Sequence, residues 1–313
     1  MKKISPLVSI LMPTYNHEKY ISQAIESVLA QKTDYPYELL IHDDCSTDST
    51  LAIAQNYATK YPDKIKFFTE KENQGLMKSY KRLIEQSKGK YLAILESDDY
   101  WLDKNKLQIQ IDFLESNPDY GIVASDIITI DDEGNEIKKG GFNKEKALTD
   151  FWYTKLLGLS GFEGACAIIF RKELFFKYCN INDYIDLRFK TFDHPTWLSI
   201  SYHSKCKVIP NILAAYRHTS TSLSNNILFE KHIDFILNII GIEKYIIEKY
   251  GLNGMTQYEY NNRIAFMIIG KALKFHKIDL FCEYAKRLTP ISLKQKIMHF
   301  FPHLYYWQFV LRH

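Results

Sequence analysis

Residues 7–12 form a short apolar run broken by Pro13, and similar runs recur at residues 37–42, Ile65–Thr69 and 91–95. Apolar runs of this length, bounded by turn residues, read as strands buried on both faces, as in a parallel sheet. Between them apolar residues recur at helical spacing. Ile21, Ala24, Ile25, Val28 and Leu29 mark a first helix, Leu51, Ala54, Tyr57 and Ala58 a second, and Leu76, Tyr80, Leu83 and Ile84 a third. Asn16 is a candidate N-cap for the first, and Ser46, Thr47 or Asp48 for the second, while Gly89 stops the third. A fourth helix is expected over 104–115. Strands alternating with helices through short connections predict a doubly wound α/β sheet.

Residues 121–125 and 127–130 add β segments, 131–135 a tight polar turn, and 165–170 and 205–209 later strands. The pattern is weak between 138 and 159. Beyond Ser224 it becomes helical only, over 228–250, 255–274, 278–288 and from 293 onward. The expected organisation is therefore a domain over 1–224 and a helical region over 225–313.

Composition narrows the class. A chain of 313 residues, 46% hydrophobic and 25% charged, suits a folded protein with a full core. A net charge of +3 with no concentrated basic patch gives no electrostatic case for nucleic acid. Cys45, Cys166, Cys179, Cys206 and Cys282 are scattered and form no Cys-x-x-Cys pair, which points to reduced thiols in a cytoplasmic protein. No apolar run approaches the ~18 residues of a membrane span. After Glu283, Lys286, Arg287, Lys294, Lys296 and Arg312 are interleaved with Phe300, Phe301, Tyr305, Tyr306, Trp307 and Phe309. This segment suits peripheral contact with the inner face of a membrane. It equally suits a helix packed on the preceding domain or on a second subunit, the commoner fate of such a helix.

Chemistry concentrates where two expected strands end. Asp43 and Asp44 follow the second strand, and Glu96, Asp98 and Asp99 follow the fourth. In open α/β sheets ligands bind outside the carboxyl ends of the strands. Acids this close repel one another unless a cation lies between them, and hard oxygen ligands suit Mg²⁺ or Mn²⁺. The plainer reading is a solvated acidic turn that caps the next helix. Neither a Gly-x-Gly-x-x-Gly fingerprint nor a Walker loop is present, which disfavours dinucleotide and P-loop sites. An acid able to bond a base, with others able to hold a metal on a diphosphate, suits a nucleotide-activated donor.

Val8-Ser-Ile-Leu-Met-Pro13-Thr14-Tyr15-Asn16, Asp43-Asp44-Cys-Ser-Thr-Asp48, Asn73-Gln-Gly75 and Leu95-Glu-Ser-Asp98-Asp99 together resemble the successive motifs of family 2 glycosyltransferases. The resemblance covers roughly the first 220 residues. It implies an inverting enzyme of the GT-A fold, with a Rossmann-like, mostly parallel central sheet and here a C-terminal α-helical extension. By the resemblance, Pro13, Thr14 and Tyr15 line the base and ribose, and Asp44 accepts a hydrogen bond from uracil N3–H. Asp98 ligates the metal, Asp99 supports it, and Glu96 replaces the usual first Asp, with Ser97 beside it on the nucleotide side. Asp193 is the catalytic base, with Phe192 where Glu is common. Asp183 and Asp186 are rivals, and Asp193 also suits a helix N-cap. Arg217 or His218 contacts the diphosphate, or His218 the metal; a surface Arg-His pair is the plainer alternative.

The implied donor is a UDP-sugar with Mn²⁺ or Mg²⁺, and the implied acceptor a glycan or lipid-linked oligosaccharide of bacterial surface-polysaccharide or capsule assembly. Nothing selects the sugar. Two other readings compete. A sugar-phosphate nucleotidyltransferase would carry a Gly-rich basic loop that Pro13-Thr-Tyr-Asn16 lacks. An inactive nucleotide-sugar-binding scaffold would account for Glu96 and Phe192.

Overall fold

The computed structural model describes residues 5–140, 150, 152–158, 164–219, 228–290, 293–303 and 305–306. The chain divides into two units. One comprises Met1–Trp152 with Phe162–Ser220, and the other Tyr153–Gly161 with Thr221–His313.

The first unit is built on one sheet. Its strands are β1 (Val8–Thr14), β2 (Tyr37–Asp43), β3 (Ile65–Thr69), β4 (Tyr91–Ile94), β5 (Tyr100–Trp101), β6 (Tyr120–Ile130), β7 (Glu136–Lys139), β8 (Ile168–Arg171) and β9 (Lys205–Arg217). They lie in the order β3-β2-β1-β4-β8-β6-β9-β5, with β7 paired to β6. The first four strands run parallel, β8 is antiparallel to both β4 and β6, and β9 is parallel to β6. Every residue of β1 is buried, as an unbroken apolar run requires of a strand covered on both faces.

Pro13 sits inside β1 without cost. Leu11 pairs with Ile94, the last residue of β4, and its carbonyl accepts from Leu95 N–H at 3.0 Å. The nitrogen two residues on faces the same side, where pairing has ended, so no N–H is needed there. Gly89 is required by close approach rather than by helix termination alone. A Cβ there would lie 2.5 Å from the Ser9 nitrogen.

The helices of this unit are α1 (Ile21–Leu29), α2 (Thr50–Lys60), α3 (Leu76–Gln86), α4 (Lys106–Ser116), α6 (Lys172–Tyr178), α7 (Ile181–Asp186) and α8 (Asp193–His203), with a 3-10 turn at Ala165–Ala167. Asn16 does not cap α1, whose N-cap is Tyr20. Asn16 instead takes φ 55°, and its Oδ1 accepts from Thr47 N–H at 2.8 Å, lacing the loop after β1 to the loop after β2. Asp48 serves the start of α2, accepting from Thr50 N–H at 2.9 Å. Residues 121–125 and 127–130 form one strand, β6, with register shifts on either side of Asp126. β9 continues past 209 to Arg217. Pro210 and Asn211, which mask it in the sequence, bulge outward and are exposed where the pairing steps from Ile209 to Ile212.

The second unit contains α5 (Tyr153–Leu156), α9 (Phe229–Tyr250), α10 (Gln257–Lys274), α11 (Ile278–Arg287) and α12 (Leu293–Phe300). The segment around α5, distant in sequence from the other four helices, is bonded to them. Arg263 Nη1 donates to the carbonyls of Thr154 and Leu157 at 2.5 and 2.9 Å, and Gly158 N–H donates to the buried Glu243 at 2.9 Å. A capping box between Thr256 and Glu259 starts α10. Ala265, Ile269, Phe281, Ala285, Met298 and Tyr306 belong to one apolar cluster of this unit. Among the described residues no helix is long and apolar enough to cross a membrane.

Candidate active site

The carboxyl ends of β1, β2 and β4 lie side by side, and the loops leaving them are joined by short polar contacts. Asp44 N–H donates to the Thr14 carbonyl at 3.0 Å. Ser97 Oγ donates to Thr14 Oγ1 at 2.7 Å and lies 2.7 Å from His17 Nδ1. A continuous path therefore runs from Asp44 through Thr14 to the loop of residues 96–99.

Asp44 is almost wholly buried, and both its oxygens hold backbone amides. Gln74 N–H donates to Oδ1 at 2.7 Å and Gly75 N–H to Oδ2 at 2.8 Å. The acid thus shapes the 73–75 turn that starts α3, where Gly75 has φ 87°. Any base contact has to use its remaining lone pairs. Pro13 and Thr14 are buried, whereas Tyr15 is 43% exposed and offers an open ring. Ser97 is fully buried, held between Thr14 and His17.

The acid cluster lies at the end of β4. Burial lifts the Glu96 carboxyl to about 8, with the charges of Asp98 and Asp193 adding to the effect. The Tyr80 hydroxyl, from α3, donates to Glu96 Oε1 at 2.9 Å. Burial likewise lifts Asp99 well above the carboxylate range, again with Asp98 contributing. Asp99 Oδ1 accepts from Arg217 N–H at 2.8 Å. The Asp98 carboxylate is partly exposed and makes no hydrogen bond among the described residues.

Asp193 reaches this cluster from far along the chain. It is the first residue of α8, and its charge acts on both Glu96 and Tyr80. Its Oδ1 accepts from His194 N–H at 2.7 Å and from the Thr191 hydroxyl, while Oδ2 takes no hydrogen bond among the described residues. Phe192 is buried against Tyr80, with ring centroids 4.2 Å apart and planes 16° from parallel. Its position here is one of core packing. Of the rivals, Asp183 accepts from Asn180 Nδ2 at 2.8 Å, and Asp186 is exposed on α7.

Arg217 is 3% exposed, and its guanidinium holds several protein groups. Nε donates to the Asp98 carbonyl at 2.9 Å, and Nη1 to the carbonyls of Asp131 and Asp132 at 3.0 and 3.1 Å. Nη2 donates to Gln23 Oε1 at 3.0 Å, and the guanidinium lies over the Tyr20 ring. The His218 backbone N–H donates to Ile130 at 2.8 Å, and its ring meets Tyr216 edge-on. Among the described residues no group of three or more His, Cys, Asp or Glu side chains is placed to hold a metal ion.

The donor chemistry nevertheless fits a hard divalent cation. Asp98 carries an unengaged carboxylate beside two acids whose protons it helps retain. Mg²⁺ and Mn²⁺ suit such oxygen sites, and Mg²⁺ commonly takes one or two carboxylates, completing its shell with phosphate oxygens and water. Tyr80 and the clamp of Arg217 escaped the sequence reading. Tyr80 falls on the apolar stripe of α3 and is indistinguishable there from a core residue.

The profile of the family described as glycosyl transferase family 2 matches residues 9–176. The chain is 40% identical over 114 residues to a Bacillus subtilis protein provisionally named a teichuronic acid biosynthesis glycosyltransferase, TuaG. That match covers 36% of this chain and 44% of TuaG. The chain spans less than half the length of the first curated relatives it matches, 37% to 46%. Among solved structures, Staphylococcus aureus TarS 1–349 in complex with UDP-GlcNAc is similar at TM-score 0.60 and 16% identity, over 96% of this chain and 89% of that one. The mannosyltransferase PcManGT from Pyrobaculum calidifontis, in complex with GDP-Man and Mn²⁺, is similar at TM-score 0.53 and 15% identity, over 99% and 87%. At these identities the likeness shows the fold alone, a GT-A-type sheet.

Proposed function

The chain belongs to glycosyl transferase family 2, and we propose that it transfers a sugar, with inversion, from a nucleotide diphosphate donor to a hydroxyl of a glycan or lipid-linked acceptor. The observation that carries this reading is the arrival of Asp193 beside Glu96, on the sheet edge that also bears Thr14, Asp44 and Asp98. UDP is the nucleotide we favour, because the acid at the base end, Asp44, can accept from the uracil N3–H through a free lone pair.

In this reading Asp193 Oδ2 takes the proton of the acceptor hydroxyl as that oxygen attacks the anomeric carbon. The new carbon–oxygen bond forms on one face while the bond to the diphosphate breaks on the other, so the configuration inverts. Oδ1 stays fixed by Thr191 and His194 N–H, which aims the other oxygen. Arg217 holds the backbone of Asp98 in place, and Tyr80 orients Glu96. A bound Mg²⁺ or Mn²⁺, held by Asp98, would supply charge neutralisation at the departing diphosphate. The Tyr15 ring lies open to stack on the base.

A panel of UDP- and GDP-sugars, assayed for release of free nucleotide, tests the reading. Release from a UDP-sugar supports it. Saturable UDP binding without release from any donor would favour the inactive scaffold instead.

A further inference from the structure

Helix α12 is apolar on more sides than its own unit covers. Met298 and Tyr306 point inward and join the cluster of Phe281, Ala285 and Leu288, at 4% and 3% exposure. Ile297, Phe300 and Phe301 stand outside it, at 36%, 65% and 61% exposure. Their spacing of three and four residues places them on one face. Two adjacent phenylalanines exposed this far, beside an isoleucine, form a contiguous apolar patch of the kind that marks an interaction surface.

The charge around the patch selects the occupant. From residue 284 to 313 the sequence contains no Asp or Glu. Lys296 and His303 are exposed beside the patch, and Lys286 and Arg287 are exposed at the end of α11, the helix that packs on α12. Glu283, the nearest acid in sequence, pairs with Arg287 at 2.5 Å, and no Asp or Glu lies within twelve residues of Lys296. A second copy of the chain would bring this basic rim against itself in a two-fold interface, which is unfavourable. A surface that is both apolar and negatively charged fits. We propose that the Ile297–Phe300–Phe301 face of α12 docks on a membrane surface rich in anionic lipid, with the phenylalanines entering the headgroup boundary and Lys296 and Lys286 facing the lipid phosphates.

Flotation of the full chain with phosphatidylcholine vesicles containing about a third phosphatidylglycerol tests the proposal, with pure phosphatidylcholine as the second arm. Binding to the anionic vesicles at low salt and its weakening at high salt are expected, because charge attraction fades as the Debye length shortens. F300S/F301S changes exposed residues only, so its melting curve should match the wild type while partitioning falls about tenfold or more. K296E should lower it at least about fivefold, the contribution of one basic residue near an anionic surface. Equal binding to both vesicle types, absence of binding, or unchanged binding by F300S/F301S would overturn the proposal. So would a vesicle-free dimer that F300S/F301S converts to monomer by sedimentation, which would make the face a contact between copies. None of these outcomes depends on sugar transfer.

Discussion

The ring of Phe192 lies flat on the ring of Tyr80, and this stack joins the start of α8 to α3 beside the acid cluster. It places Asp193, the next residue, while the Tyr80 hydroxyl holds Glu96. Phe192→Ala should cost about 3–5 kcal/mol of stability, as for other buried phenylalanines. Tyr80→Phe keeps the stack but leaves Glu96 without its donor, at about 1–3 kcal/mol. Urea unfolding of the two variants checks both figures. Near-neutral Phe192→Ala would remove the stack from the account.

Asp44 offers a second test, because its two oxygens hold two amides. Asp44→Ala orphans Gln74 N–H and Gly75 N–H together. UDP affinity by calorimetry should fall at least about tenfold, since both the turn and the base contact are lost. Asp44→Asn retains one acceptor and should fall between the two. An Asp44→Ala variant that binds UDP as the wild type does would deny the residue any part in the site.

For Arg217 the structural and ligand-binding roles predict different results. A lysine cannot serve the carbonyls of Asp98, Asp131 and Asp132 together with Gln23 from one ammonium group. Arg217→Lys should lower the melting temperature, with each orphaned carbonyl costing about 1–3 kcal/mol. Affinity for UDP should fall alongside it. A fall in affinity with an unchanged melting temperature would return Arg217 to the diphosphate.

A buried lysine gives the clearest pH dependence. Lys106 is fully buried, its Nζ donating to Gln110 Oε1 at 2.6 Å over the Trp101 ring, and burial pushes it down to about 7. Between pH 7 and 10 the unfolded chain binds this proton and the folded chain does not. Stability from this residue therefore rises with pH across that window and is lost as pH falls through 7, with a slope approaching about 1.4 kcal/mol per unit. Lys106→Met should flatten the slope, whatever constant cost the stranded Gln110 adds. Parallel stability–pH curves for the two proteins would contradict this.

Much of this was legible in the residues because the parallel half of the sheet is made of apolar runs that cannot lie anywhere else. β1 to β4 and the acids at their ends follow from that pattern. What escaped is long-range. β9 looked finished at 209 because Pro210 and Asn211 interrupt it, yet its far half carries Arg217 to the acid cluster. Ser97 and Arg217 have the chemistry of ligand contacts, and the protein groups they bond are revealed only by their neighbours in the fold. Tyr80 hides on an apolar stripe. The α5 segment, set between strands in sequence, is claimed by helices beyond 228 through Arg263 and Glu243.

The proposed chemistry rests on Asp193 as the acceptor of a proton. The most direct measurement is UDP release by Asp193→Asn from whichever UDP-sugar the wild type cleaves, with UDP binding followed on the same sample. Asparagine preserves the shape and cannot take the proton, so binding should stay within about twofold while release falls by about a hundredfold or more. Release within a few-fold of the wild type would contradict the account.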